Sequence, residues 1–205
     1  MASNSSAVVI DGNGSVAVIR FNRPDTRNSL STDTLKDLTN AVSSLTARED
    51  LEAIIFTGAE DVFASGADIR ELAQLDTARA FEFARYGQQL FQTIADSKQV
   101  TIAAINGYCM GGGVDLALAC DIRIAAPQAV FRHPGARLGI ITGWGGTQRL
   151  PRLIGRARAL ELFATARRVT SAEALDMGLI GSVAEDPLSA ALVIATQTRA
   201  PNPKI

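Results

Sequence analysis

The feature that most narrows what this chain can fold into is a regular alternation of short apolar runs with segments of helical spacing. Residues 53–57 (AIIFT) and 100–105 (VTIAAI) are apolar on both faces, as strands inside a covered parallel sheet must be. Between them, residues 77–97 carry Phe81, Ala84, Phe91 and Ile94 on one expected face, which predicts a long helix. Leu35, Leu38, Val42 and Leu45 give an earlier helix its core-facing stripe, with Ser31 as the N-cap. This alternation predicts an α/β fold with largely parallel strands joined by right-handed crossovers. The chain opens differently, because runs 7–11 and 16–21 flank Gly12-Asn13-Gly14-Ser15 and predict a hairpin. Further strands are expected at 122–125 and 129–131, and helices at 147–154, 158–166 and 172–177, the last ended by Gly178. A last helix is expected over 188–198, followed by a fraying tail at 201–205.

At 205 residues the chain suits one hydrophobic core, and its 47% apolar and 20% charged content excludes disordered, collagen-like and disulfide-scaffold classes. Lys and Arg total 20 against 21 Asp and Glu, so no global field favours nucleic acid or an anionic membrane. An anionic ligand must therefore be held locally. Cys109 and Cys120 belong to no CxxC or Cys/His cluster and are expected to be buried free thiols, not zinc ligands or a disulfide. No window approaches the roughly 18 apolar residues of a membrane span. With no basic and apolar signal segment at the N-terminus, a cytoplasmic location is expected, and the sequons at Asn4 and Asn13 carry no weight.

Two glycine turns, Ser65-Gly66-Ala67-Asp68 and Met110-Gly111-Gly112-Gly113, each follow a strand and each feed a helix. Helix N-termini expose unpaired N–H groups. If the fold joins the turns, the N–H groups of Ala67 and Gly112 converge on one oxygen, polarising a carbonyl and stabilising an enolate. Other glycine chemistries fail. GxxxxGK[ST] is absent, and Gly143-Trp144-Gly145-Gly146-Thr147-Gln148 departs from GxGxxG at its sixth position.

FASGADIREL (63–72), AAINGYCMGGGVDLALACDIRIA (103–125) and LGIITGWGGTQRLPRLIGRARALEL (138–162) resemble the crotonase, or enoyl-CoA hydratase/isomerase, superfamily. NRPDTRNSLS (22–31) and ARRVTSAEALDMGLI (166–180) agree in order and spacing, so the resemblance spans about residues 8–185. It implies a spiral of repeated ββα units and an acyl-CoA thioester ligand, with no permanently bound cofactor. It also implies an oxyanion hole at Ala67 and Gly112, flanked by Gly111. CoA would lie near Arg23, Ala64 and the segment Gly66, Ala67, Asp68, Ile69 and Arg70, where Arg23 or Arg70 could pair with its phosphates. Trimers or dimers of trimers are implied as well. Family members continue into further C-terminal helices. Residues 1–186 are thus expected to form the acyl-CoA-binding core and 187–205 a short helix and tail, with the C-terminal helical region largely absent.

Hydratases of the family carry two glutamates. The first, in GGGxE, is here Asp115, and the second, in FxxPE, is replaced by Gly135 in Phe131-Arg132-His133-Pro134-Gly135. Loss of a general acid/base forfeits about 100- to 10,000-fold. Gly135 is expected to leave room for water, a small anion such as bicarbonate, or a substrate carboxylate. His133, two residues earlier on an extended segment, would point to the same side and could transfer protons. Three functions stay open: hydration of a 2-enoyl-CoA through Asp115, isomerisation or decarboxylation of a related thioester, and catalytically weak acyl-CoA binding or assembly.

Overall fold

The computed structural model describes residues 6–197, so the expected tail at 201–205, the last residue of the helix expected over 188–198, and the sequon asparagine Asn4 lie outside the described residues. A hairpin of β1 (Val8–Asn13) and β2 (Val16–Phe21) opens the chain, with Gly14 at φ 65° in its turn. There follow β3 (Ser29–Leu30), α1 (Thr32–Thr46) and β4 (Ala53–Thr57). The Ser31 hydroxyl caps α1 by accepting from the Thr34 N–H.

Next come β5 (Val62–Ala64), β6 (Gly66–Ala67), α2 (Ile69–Leu72) and α3 (Thr77–Ala95), then β7 (Val100–Ile105), β8 (Tyr108–Met110) and α4 (Gly112–Ala119). The chain continues through β9 (Ile122–Ala125), β10 (Val130–Arg132), α5 (Gly135–Leu138), α6 (Gly146–Ile154) and α7 (Arg156–Thr165). It ends with β11 (Val169–Thr170), α8 (Ser171–Asp176), β12 (Ser182–Val183) and α9 (Pro187–Gln197).

The repeat is a long strand, a short strand and a helix. β4, β7 and β9 lie side by side in a six-stranded sheet of order β1-β2-β4-β7-β9-β12, parallel from β2 onward. Their successors β5, β8 and β10 lie side by side in a second sheet of order β11-β10-β8-β5. Each turn of the spiral therefore adds one strand to each sheet. This is the α/β architecture of repeated ββα units expected above.

Strand alternation divides the apolar residues between two cores. Ile54, Phe56, Ala103 and Ile105 face the helices α1, α3 and α4. Ala53, Ile55, Ile102 and Ala104 face the opposite way, where Ala191 and Ala195 of α9 cover them. One expectation fails on α3. Phe81 is 64% exposed, whereas Phe91 and Ile94 are buried as expected, together with Gly87 and Leu90. Cys109 and Cys120 are buried free thiols. Among the described residues, no helix is long and apolar enough to cross a membrane.

Candidate active site

The spiral brings the two glycine turns into contact. Gly66 adopts φ 89°, a conformation open to glycine but not to most side chains. A Cβ at Gly66 would lie 2.8 Å from the Met110 carbonyl oxygen and 3.0 Å from the Gly112 nitrogen. Gly111, at φ 50°, caps α4, so the Gly112 N–H belongs to the first turn, which has no carbonyl one turn earlier in the helix. Ala67 ends β6, held by the parallel pairing of Gly66 with Ser29 and of Ala67 with Leu30.

Both turns open onto a cavity of about 250 Å³. Gly66, Ala67, Ile69, Gly111, Gly112, His133 and Gly135 line it, together with apolar groups that include Leu72, Phe83, Ile141 and Trp144. The other expected contacts lie outside this lining. Ala64 is wholly buried in β5. Asp68 caps α2 by accepting from the Arg70 N–H, and its carboxylate pairs with the Arg70 guanidinium at 2.7 Å. That pairing holds the Asp68 carboxyl down at about 2. Arg23 lies on a loop fixed by Asn28, whose side chain accepts from the Arg23 N–H at 2.9 Å and donates to the Val62 carbonyl at 2.8 Å.

Asp115 sits on α4 one turn beyond Gly112, is fully buried, and is absent from the cavity lining. Its Oδ2 accepts a hydrogen bond from the Thr142 hydroxyl. Its Oδ1 faces His133 Nε2 at 3.7 Å, and neither atom has a hydrogen-bond partner among the described residues. Burial pushes the Asp115 carboxyl up to about 6, against the opposing pull of Thr142, the Trp144 and Gly146 N–H groups and Arg149. Burial alone pushes His133 down to about 4, so near neutral pH the imidazole is uncharged beside a carboxylate able to lose and regain its proton.

The placement of His133 follows from strand register. Arg132 pairs with Met110, and the Gly111 N–H donates to the Arg132 carbonyl at 2.8 Å, which sets the next residue beside the glycine turn. One expectation about this segment is corrected. It is not extended beyond Arg132, because Pro134 is helical (φ −76°, ψ −1°) and α5 begins at Gly135. His133 and Gly135 share the cavity through this turn, not through strand alternation. The Ile140 N–H donates to the Gly135 carbonyl at 3.0 Å, and a Cβ at Gly135 would lie 2.5 Å from the Ile140 carbonyl oxygen. A side chain at position 135 would therefore meet backbone, while Gly135 itself lines the cavity.

Sequence reasoning missed Thr142 and Trp144. Trp144 is buried against Phe83 and Phe91, with ring centroids 5.2 and 5.6 Å away, and its indole N–H donates to the Phe83 carbonyl at 3.3 Å. Its ring edge lies against Gly112, leaving no room for a side chain there. An aromatic residue inside a glycine loop was the available signal for Trp144. Nothing in the spacing pointed to Thr142.

The described fold has close counterparts. An enoyl-CoA hydratase from Bacillus anthracis is 37% identical, with a TM-score of 0.89 over 93% of this chain and 76% of its own. A short-chain-enoyl-CoA hydratase from Clostridium acetobutylicum and a crotonyl-CoA hydratase from Syntrophomonas wolfei are each 40% identical over 87% of this chain and 69% of their own length. A family model described as enoyl-CoA hydratase/isomerase matches residues 11–202. With that match spanning nearly the whole sequence and the ββα spiral matching in three dimensions, the chain belongs to the enoyl-CoA hydratase/isomerase family.

Proposed function

We propose that this protein adds water to a 2-enoyl-CoA, as a hydro-lyase of the enoyl-CoA hydratase type. The observation that carries this reading is the meeting of two glycine turns at the wall of an apolar cavity, with a buried acid one helical turn behind. The N–H groups of Ala67 and Gly112 hold the thioester oxygen, where negative charge grows as water attacks the β carbon. The dipole of α4 adds to that stabilisation. Asp115 manages the proton, its raised carboxyl value placing it near the working pH. Neutral His133 faces it from the other side at 3.7 Å, without a hydrogen bond between them.

Apolar side chains such as Leu72, Phe83 and Ile141 suit the acyl chain. CoA lies along the segment from Gly66 to Arg70, where one phosphate competes with Asp68 for the exposed Arg70 guanidinium. No cofactor is held permanently. In this reading the enzyme works in the cytoplasm, and trimers or hexamers form where the family's C-terminal helices are present.

Crotonyl-CoA hydration and butyryl-CoA binding, measured on one sample, test the proposal. Hydration with saturable binding is the expected result. Saturable binding without turnover would make the protein an acyl-CoA binder, and the absence of both would end the thioester reading.

A further inference from the structure

The acid that the sequence singles out cannot itself reach the cavity. Asp115 is one methylene shorter than the glutamate of family hydratases, is 0% exposed, and contributes nothing to the cavity wall. Two polar side chains lie against its carboxylate, and both do line the cavity: His133 and Thr142. The two contacts differ in kind. His133 Nε2 stands 3.7 Å from Oδ1, and both atoms lack a hydrogen-bond partner among the described residues, so that path is broken. The Thr142 hydroxyl donates to Oδ2, so that path is connected.

The loop carrying Thr142 is built around this contact. Backbone N–H groups of Trp144 and Gly146 also point at the Asp115 carboxylate, and any side chain at Gly146 would collide with Oδ1 and with the Thr142 methyl. Arg149, one turn into α6, fastens the loop to α3 by donating to the Trp144 carbonyl at 3.2 Å and to Gln92 Oε1 at 3.0 Å. Trp144, packed on Phe83 and Phe91, anchors it again. Thr142 is thus held at one point, with its hydroxyl on Asp115 and its exposed side in the cavity shared with Ala67 and Gly112.

We propose that Thr142 is the group that meets the reacting water, and that the Thr142 hydroxyl and Asp115 carboxylate work as a two-member proton relay. This inference rests on the hydratase reading above. Thr142 Oγ1 donates its proton to Asp115 Oδ2 and keeps a lone pair free to accept from water. As the water oxygen bonds to the β carbon, its proton passes to Thr142 Oγ1, and the Thr142 proton passes to Asp115 Oδ2. The electron pair of the carbon–carbon double bond moves to the thioester oxygen, held by Ala67 and Gly112. In the second half the enolate pair returns to the α carbon, which takes a proton from Thr142 Oγ1 while Asp115 returns its own to Thr142. One water has been added, and both relay members end as they began. A single relay serves as base and then as acid, which accounts for the lack of a second carboxylate at Gly135.

The test compares Thr142→Val, Thr142→Ser, Asp115→Asn and the Thr142→Val/Asp115→Asn double variant, reading crotonyl-CoA turnover and butyryl-CoA affinity in each. Thr142→Val is expected to lose about 100- to 10,000-fold in kcat while butyryl-CoA affinity stays within a few fold, and Thr142→Ser is expected to keep most of the activity. Because the members act as a unit, the double variant is expected to be no slower than the slower single variant. A folded Thr142→Val with full turnover, or losses that multiply in the double variant, would overturn the relay. A measurement on the unaltered protein is independent of variant folding. With two protons moving in one step, the rate is expected to curve with the deuterium fraction of the solvent, and a strictly linear dependence would overturn the relay. Unaltered protein that hydrates no crotonyl-CoA would overturn the hydratase reading and the relay with it, whereas full turnover by Thr142→Val overturns the relay alone.

Discussion

At the scale of single residues, Asp115 and His133 place opposite demands on stability. The Asp115 carboxyl, at about 6 in the fold against an ordinary 3.8, keeps a proton that the unfolded chain has lost between those values. Its contribution therefore falls as pH rises from about 4 to 6. His133, at about 4 against 6.5, lacks a proton that the unfolded chain holds between those values, so its contribution rises with pH over that range. Each effect is on the order of 3 kcal/mol and they largely cancel below pH 6. Asp115→Asn removes the falling component. Its unfolding free energy, from urea titrations at successive pH values, is expected to climb more steeply between pH 4 and 6.5 than that of the unaltered protein, and equal slopes would contradict this. Gly135 carries a second prediction. Any side chain there meets the Ile140 carbonyl, so Gly135→Glu is expected to lower stability by about 1–3 kcal/mol and to leave crotonyl-CoA hydration without a gain. The replaced glutamate was legible in the sequence. The backbone that a side chain there would meet was not, since it depends on how residues 139–141 fold back over α5.

At the scale of elements, the strands and helices were legible wherever burial imposes a period. β4, β7, α1 and α4 follow the expected runs because two-sided or one-sided burial repeats along them. The short strands β5, β8 and β10 were harder, since each has three residues and owes its existence to partners across the spiral. Phe81 misled because the first turns of α3 run past the core, where helical spacing persists without burial. Pro134 turned His133 away from the extended geometry expected of it. The loop between α5 and α6 is the element on which the site most depends, and Trp144 holds it down. Trp144→Ala is expected to cost about 3–5 kcal/mol, read as a fall in Tm. It should also depress hydration, because the Thr142 contact with Asp115 loses its anchor. A Trp144→Ala protein of unchanged Tm would show that the loop is held elsewhere.

For the whole molecule, the ββα spiral explains why residues far apart in sequence meet. Each turn lays one strand beside the last in both sheets, so the turn after β5 and the turn after β8 come to lie together at the cavity. Family motifs made that meeting legible, because they mark both turns. They could not reveal that Asp115 stops short of the cavity, which follows from the length of one side chain and the closure of one loop. The outer face of the large sheet depends on α9. Ala191→Asp would place an unpaired charge between α9 and Ile55, Ile102 and Ala104, and is expected to cost about 4 kcal/mol or more in urea unfolding. A cost near zero would mean that α9 leaves the sheet readily. On the proposed function, the Ala67 and Gly112 N–H groups grip one thioester oxygen. Isotope-edited infrared spectroscopy of bound crotonyl-CoA, with carbon-13 in the thioester carbonyl, reads that grip. A carbonyl stretch at lower wavenumber in the complex than in solution is expected, and a bound ligand whose stretch is unchanged would rule the grip out.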